Sequence, residues 1–278
     1  MHAYVIADVF TDTPLEGNQV AVFLDAAGLD EAQMQRTARE MNLSETVFVL
    51  SRAGADAELR IFTPATEMPF AGHPILGTAF VLGSEIDEDV VRLRVPAGDV
   101  PVTLTREGDR IVFGEMEQPI PTWQPFTGER ELFAALGVEG SELPLEAYDN
   151  GPTHLCVALR DEEAVAALRP DMGALAALGA LNVSCFAGAG RRFKTRMFAP
   201  GLGVAEDPAT GSAAGPLALH LARHGRIGFG EGIEIRQGVE IQRPSVLHAR
   251  VDGAPEEIER VAVGGAAVVV ARGEYRLG

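Results

Sequence analysis

The stretch RIFTPATEMPFAGHPILGTAF, residues 60–80, decides the fold because it recurs in altered form as RMFAPGLGVAEDPATGSAAGPLALHL, residues 196–221. In both stretches an Arg-x-Phe-x-Pro run precedes a glycine-led opening of an apolar helix. Two further pairs follow the same order. The four matched pairs are Arg60–Pro64 with Arg196–Pro200, Ala71–Pro74 with Thr210–Ala213, Asn42–Glu45 with Asn182–Cys185, and Gly98 with Gly238. Four matches in one order, at nearly constant spacing, predict a duplicated unit.

The duplication predicts an α+β protein of two lobes. We expect an N-terminal lobe over residues 1–117 and a C-terminal lobe over residues 128–278. The proline-rich residues 118–127 read as a connector, because closely spaced prolines disfavour helix and central strand. Two similar lobes would leave a cleft, and interdomain clefts are favoured ligand sites.

Composition excludes several classes of protein. Of the 278 residues 46% are hydrophobic and 23% charged, which is typical of a globular chain. The net charge of −17 disfavours nucleic acid and anionic membranes as partners. Two cysteines, and an N-terminus without signal-peptide features, favour a reduced cytoplasmic protein. The longest apolar stretch, residues 261–271, is shorter than the roughly 20 residues of a spanning helix.

No resident cofactor is expected. A Schiff-base mechanism would have to use Lys194, the single lysine of the chain. No GxxxxGK[ST] phosphate loop occurs. His220 and His224 share a helix face, but the sequence reveals no third metal ligand, so we expect no metal site.

Two helix openings are the candidate anion site. Backbone N–H groups and the helix dipole favour an anion at a helix N-terminus, so Gly72-His73 and Gly211-Ser212 are candidate ligands of a substrate carboxylate. Ordinary capping by Thr210 or Ser212 is the competing interpretation. The occurrence of such an opening in both lobes favours ligand binding.

Three titratable residues lie near these openings. Glu45 stands at the mouth of an apolar strand, where partial desolvation of a carboxyl group raises its pKa toward the range useful for proton transfer. A solvated strand-entry glutamate is the alternative. His73 and Asp207 lie beside the helix-opening loops, although a lone histidine is more often structural than catalytic.

Long motifs in this chain resemble the phenazine-biosynthesis PhzF-like family, which has the two-lobed diaminopimelate epimerase-like fold. The motifs are DVFTDTPLEGNQVAVF, NLSETVFV, RIFTPATEMPFAGHPILGTAF and EDPATGSAAGPLALHL, and the similarity covers nearly the whole chain. The resemblance implies a cofactor-independent isomerase that moves a proton within a small carboxylate-bearing metabolite, as in trans-2,3-dihydro-3-hydroxyanthranilate isomerisation. It also implies that each lobe is a curled, mostly antiparallel sheet around one central helix. The last strand, near residues 266–271, should then return to the first lobe. Whether the chain forms a homodimer stays open.

Carried over by motif, the resemblance makes Glu45 the general acid/base, supported by His73, Asp207 and Ser212. Gly72, His73, Gly211 and Ser212 would bind the substrate carboxylate. An amino-acid-type epimerase or racemase, with Cys185 or Asp207 opposing Glu45, is one alternative. A non-catalytic small-molecule-binding protein is another.

Overall fold

The computed structural model describes residues 1–54 and 56–276. The strands within them are β1 His2–Val9, β2 Asn18–Phe23, β3 Glu45–Ala53, β4 Asp56–Phe62, β5 Glu67–Met68, β6 Val90–Val95, β7 Gly98–Glu107, β8 Arg110–Gln118, β9 Thr122–Pro125, β10 Glu146–Asp149, β11 Thr153–Ala158, β12 Asn182–Ala189, β13 Arg192–Ala199, β14 Val204–Asp207, β15 Gly232–Gln237, β16 Ser245–Ala254, β17 Glu257–Gly265 and β18 Ala267–Tyr275. The α-helices are α1 Glu31–Met41, α2 Gly72–Gly83, α3 Glu129–Leu136, α4 Glu162–Ala167, α5 Met172–Ala177 and α6 Gly211–Arg223, with 3₁₀ turns at Pro200–Leu202 and Val239–Ile241.

The chain divides into two compact units. The first holds Met1–Glu117 and Gly264–Gly278, and the second holds Gln118–Val263. The last strand, β18, pairs antiparallel with β1 and so lies in the first unit.

The two units repeat one order of strand pairing. In the first, β1–β2 is antiparallel, β2–β3 parallel, β3–β4 and β4–β5 antiparallel, β4–β6 parallel and β6–β7 antiparallel. In the second, β10 to β16 follow the same succession of antiparallel and parallel pairs. Each unit is therefore a mixed, mostly antiparallel sheet, and the predicted α+β class is confirmed.

One apolar helix forms the centre of each unit. Every residue of α2 is buried, and so is α6 from Gly211 to Ala222. Gly77 shows how closely α2 packs on its sheet, since a Cβ there would lie 2.6 Å from a methyl carbon of Val20. A helix buried on all sides has to be apolar all round, which explains the absence of charged residues in α2.

Residues 118–127 differ from the predicted connector. They belong to the second unit, and Thr122–Pro125 forms β9, which pairs antiparallel with β10. Proline is tolerated in a strand where its missing N–H is not needed by the ladder, and Pro125 stands at the end of this short strand. Among the described helices, none is both long and apolar enough to cross a bilayer.

Candidate active site

Helix α2 begins with two adjacent backbone N–H groups that the helix does not use. Its N-cap residue, Ala71, offers no side-chain hydrogen bond, and the Ile75 N–H already donates to the Ala71 carbonyl. Pro74 has no N–H. The donors left in this first turn are those of Gly72 and His73, so the predicted anion site retains its donors.

Helix α6 begins in the same way. Thr210 is its N-cap but makes no side-chain cap, and the Ala213 N–H donates to the Thr210 carbonyl. The N–H groups of Gly211 and Ser212 are left at the start of the helix. Side-chain capping, the competing interpretation of both openings, is therefore absent from these described residues.

Two buried amides hold the first turn of α6 in place. Pro216 lacks the N–H that would bond the Ser212 carbonyl, and the Asn150 side chain donates to that carbonyl instead, at 3.0 Å. The Gln118 side chain donates to the Gly211 carbonyl at 2.8 Å. The Gly211 carbonyl lies in the same peptide plane as the Ser212 N–H, so the contact with Gln118 constrains the direction of that N–H group.

Gly215 allows this approach of Gln118 to the helix. A Cβ on Gly215 would lie 2.5 Å from the Oε1 atom of Gln118. Larger residues at position 215 would therefore displace the amide that holds the helix start.

The Asp207 carboxylate is held by a short network. The Thr210 hydroxyl donates to its Oδ2 atom at 2.6 Å. Gln237 donates to the Asp207 carbonyl at 2.7 Å and accepts from the Thr210 N–H at 3.3 Å. Asp207, Thr210 and Gln237 are all buried, so the carboxylate is a fixed group beside the opening of α6.

Glu45 and His73 come together in the first unit. The Nε2 atom of His73 lies 3.1 Å from Oε2 of Glu45, and the Glu45 side chain is 17% exposed. The same Nε2 atom lies 3.2 Å from the Gln19 carbonyl, and Nδ1 lies 3.3 Å from the Asn18 amide nitrogen. Burial lowers the pKa of His73 to about 3, against the hydrogen bond to Gln19, so His73 is neutral at physiological pH.

The strand registers correct the pairing of Glu45 with Cys185. Arg60 pairs with Phe48 in β3, and its repeat partner Arg196 pairs with Cys185 in β12. Sequence similarity paired Cys185 with Glu45. The strand registers instead make Cys185 the counterpart of Phe48, which lies three residues after Glu45. The counterpart of Glu45 is Asn182.

This correction removes the thiol from the candidate site. Cys185 is fully buried in the apolar core, and burial raises the pKa of its thiol to about 12. Asn182 donates its amide to the Thr153 carbonyl at 3.1 Å. An amide cannot accept a proton as a general base does, so the second unit offers no base at the place of Glu45.

His220 and His224 have a third neighbour that the sequence did not reveal. Glu146, His220 and His224 each place a potential ligand atom within 4.8 Å of the others. However, the Oε2 atom of Glu146 already accepts hydrogen bonds from Arg223, Tyr148 and His224. Burial alone would raise the pKa of Glu146, but these hydrogen bonds lower it to about 2. The Arg223 guanidinium is already paired with the Glu146 carboxylate. The cluster is therefore an ion pair rather than an open set of metal ligands.

Sequence reasoning found the titratable residues and missed the amides that position them. Asn18, Gln118 and Asn150 are buried and far apart in the chain, and each supports a helix opening or a residue beside it. A buried amide shows no periodicity or spacing of its own. Pro216 is the one signal in the sequence that could have indicated such an amide. Because proline has no N–H, the Ser212 carbonyl needs a hydrogen-bond donor from elsewhere in the chain.

Known proteins resemble this chain in both sequence and structure. The family model "Phenazine biosynthesis-like protein" matches residues 7–273. The chain is 54% identical to the trans-2,3-dihydro-3-hydroxyanthranilate isomerase of Pseudomonas aeruginosa, over 100% of both chains. A PhzF-family phenazine biosynthesis protein of Bacillus anthracis has a similar structure, with a TM-score of 0.87, 26% identity and 99% of each chain covered.

The fold is shared more widely than the sequence. A probable proline racemase from Agrobacterium radiobacter matches with a TM-score of 0.64 at 12% identity, covering 100% of this chain and 94% of its own. That likeness concerns the fold alone. The chain belongs to the phenazine biosynthesis-like protein family, as its motifs predicted. Within that family it is an isomerase that acts on a small carboxylate metabolite.

Proposed function

We propose that this chain isomerises trans-2,3-dihydro-3-hydroxyanthranilate, with Glu45 as the single general acid/base. The observation that carries the proposal is the contact between Glu45 and neutral His73 beside the uncapped start of α2. The isomerase named for this substrate is 54% identical over the full length of both chains, which supports the same substrate here.

The reaction is an isomerisation that moves protons and changes no other atom. The Glu45 carboxylate removes the proton from the hydroxyl-bearing ring carbon, and the resulting carboxylic acid returns it to another carbon of the same ring, which leaves an enol. The enol then loses its hydroxyl proton and gains a proton at a ring carbon to become the ketone, and Glu45 ends its part of the cycle ionised, as it began. One carboxyl group suffices if the substrate is held beside it.

Substrate holding is assigned to the backbone. The N–H groups of Gly72 and His73 would bind the substrate carboxylate from the first unit. The repeat supports the same role for Gly211 and Ser212, whose N–H groups open α6 in the corresponding way. Asp207, fixed by Thr210, would orient and polarise the substrate rather than carry the migrating proton.

An opposed-base epimerase is less well supported. Such an enzyme needs a second base, and the counterpart of Glu45 is the amide Asn182. Cys185 lies in the apolar core with its thiol protonated. Asp207 is the remaining candidate, and its carboxylate already accepts a short hydrogen bond from the Thr210 hydroxyl.

Location and assembly are part of the proposal. Cys156 and Cys185 are free and buried, which supports a reducing cytoplasmic location. The net charge of −17 supports the absence of a nucleic-acid partner. A homodimer is proposed on the family resemblance, and light scattering on the eluting peak of a sizing column tests it.

Turnover of the substrate tests the function. Purified chain is incubated with trans-2,3-dihydro-3-hydroxyanthranilate, and loss of the diene absorbance is followed with time. We expect disappearance in proportion to enzyme concentration, at a rate that is lower by about 10²-fold or more with Glu45→Gln. Absence of turnover by the parent chain would reject this substrate, and release of an enantiomer of an added amino acid would favour an epimerase.

A further inference from the structure

We propose that Asn18 is a positioning residue that fixes the tautomer and the neutral charge of His73, so that no positive charge stands beside Glu45. The inference rests on the proposed function, because it concerns how Glu45 is kept basic. Asn18 lies in β2, 55 residues before His73, and is fully buried.

The Gln19 carbonyl decides which nitrogen of His73 carries the proton. This oxygen lies 3.2 Å from Nε2 and can only accept a hydrogen bond. Nε2 therefore carries the proton. A neutral imidazole has one N–H, so Nδ1 has to be an acceptor.

Asn18 meets this requirement. Its amide nitrogen lies 3.3 Å from Nδ1 of His73 and donates to it. A second proton on Nδ1 would face an N–H group of Asn18, and two donors cannot bond each other. Asn18 therefore opposes formation of the imidazolium, in the same direction as burial.

The consequence for Glu45 is a carboxylate without an adjacent positive charge. The buried Oε2 atom lies 3.1 Å from Nε2 of the neutral ring, whose proton is donated to the Gln19 carbonyl. An imidazolium at the same distance would stabilise the carboxylate and make it a weaker base.

The other charged groups near His73 do not set its charge or tautomer in place of Asn18. Helix α2 carries no acidic residue in its first turn and no basic residue in its last turn. From β1, the Asp8 carboxylate accepts from the Leu15 N–H at 2.7 Å. From β3, Glu45 is the carboxylate that His73 itself contacts.

Asn18→Asp reverses the proposed effect. The new carboxylate accepts only, so Nδ1 gains a proton while Gln19 retains the proton on Nε2. His73 becomes an imidazolium, and Glu45 loses basicity. We expect kcat to fall about 10-fold and the acidic limb of its pH profile to move down by about one unit. Asn42→Asp is the matched control, because it adds the same charge at an exposed position and should leave both quantities unchanged.

Nitrogen-15 NMR of the full-length labelled protein tests the inference directly. The His73 signals are assigned by their loss in His73→Gln. In the parent and in Asn42→Asp we expect a neutral ring protonated on Nε2 down to pH 5. In Asn18→Asp we expect both nitrogens protonated at neutral pH.

Several outcomes would overturn the proposal. They are an Nδ1-protonated ring in the parent, titration of the parent His73 near neutral pH, and a neutral ring in folded Asn18→Asp. If that variant does not fold, the parent spectrum still decides the tautomer, and Asn18→Leu gives the second test. Asn18→Leu should lower kcat without moving the acidic limb, because it removes the donor and adds no charge. A shifted limb in Asn18→Leu would contradict the proposal.

Failure of the proposed function looks different. Full turnover by Glu45→Gln would remove Glu45 from the reaction, yet the tautomer of His73, measured without substrate, would be unaffected. The two conclusions can therefore fail separately.

Discussion

Replacing Glu45 by glutamine isolates proton transfer from binding. Glutamine has the length and shape of glutamate, so an oxygen can stay where Oε2 of Glu45 lies 3.1 Å from Nε2 of His73. The substitution therefore adds no bulk to this partly buried position, where the side chain is 17% exposed. What is lost is the ability to accept a proton.

The expected loss follows from that chemistry. General acid–base catalysis contributes about 10²- to 10⁴-fold, and Glu45 serves in both half-steps. We therefore expect Glu45→Gln to lower kcat by about 10²-fold or more while the Kd of a substrate analogue changes by less than about 3-fold.

The assay combines diene absorbance for kcat with calorimetry for analogue binding. Glu40→Gln, an exposed glutamate at the end of α1, is the matched control and should behave like the parent. If Glu45→Gln turned over at the parent rate, Glu45 would not carry the proton, and Asp207 would become the candidate. If it lost binding as strongly as turnover, Glu45 would be a binding residue.

The remaining predictions concern the supporting residues, acid stability and cofactors. His73→Gln and Asp207→Asn should each lower kcat about 10-fold, less than Glu45→Gln, because they orient and polarise; equal losses in all three variants would argue against a single acid/base. Burial lowers the pKa of His73 and His154 to about 3 and that of His220 to about 4, below the value near 6.5 in an unfolded chain. As pH falls from about 6.5 to 4, the unfolded state binds protons that the folded state does not, so stability should fall by about 1.4 kcal/mol per pH unit for each histidine. His154, whose ring nitrogens have no hydrogen-bond partner among the described residues, tests this: in urea unfolding His154→Leu should show a shallower slope, and an unchanged slope would contradict the assignment. Dialysis against a chelator should leave kcat unchanged, and loss of activity that one metal restores would refute cofactor independence.

The fold was largely predictable because the repeat is visible in the sequence and implies two similar lobes. Glycine-led helix openings and Arg-x-Phe-x-Pro runs are local patterns, and the apolar helix predicted to open at Gly72-His73 is observed as Gly72–Gly83. The predicted connector failed where three prolines hid a short strand, because β9 is formed by its pairing with β10 and not by local propensity.

The candidate site was only partly predictable. Glu45 and His73 stand out as polar residues at the edges of apolar segments. The pairing of Glu45 with Cys185 was wrong because the similarity of NLSE to NVSC ignores where each strand begins, and only the pairing with Arg60 and Arg196 reveals the shift of three residues. Asn18 was missed because its role depends on His73, 55 residues away.

Deuterium incorporation during turnover of the parent chain is the most direct test of the central claim. The reaction is run in D2O with trans-2,3-dihydro-3-hydroxyanthranilate, and the ketone product is examined by mass spectrometry and NMR before it reacts further. A single carboxyl group that takes and returns the proton predicts at most one deuterium per turnover at the ring carbon that Glu45 protonates, and this label should depend on Glu45. The carbon protonated when the enol becomes the ketone takes its label from the solvent and is scored separately. Deuterium with inversion at the hydroxyl-bearing carbon of recovered substrate would require a second base and would contradict the account.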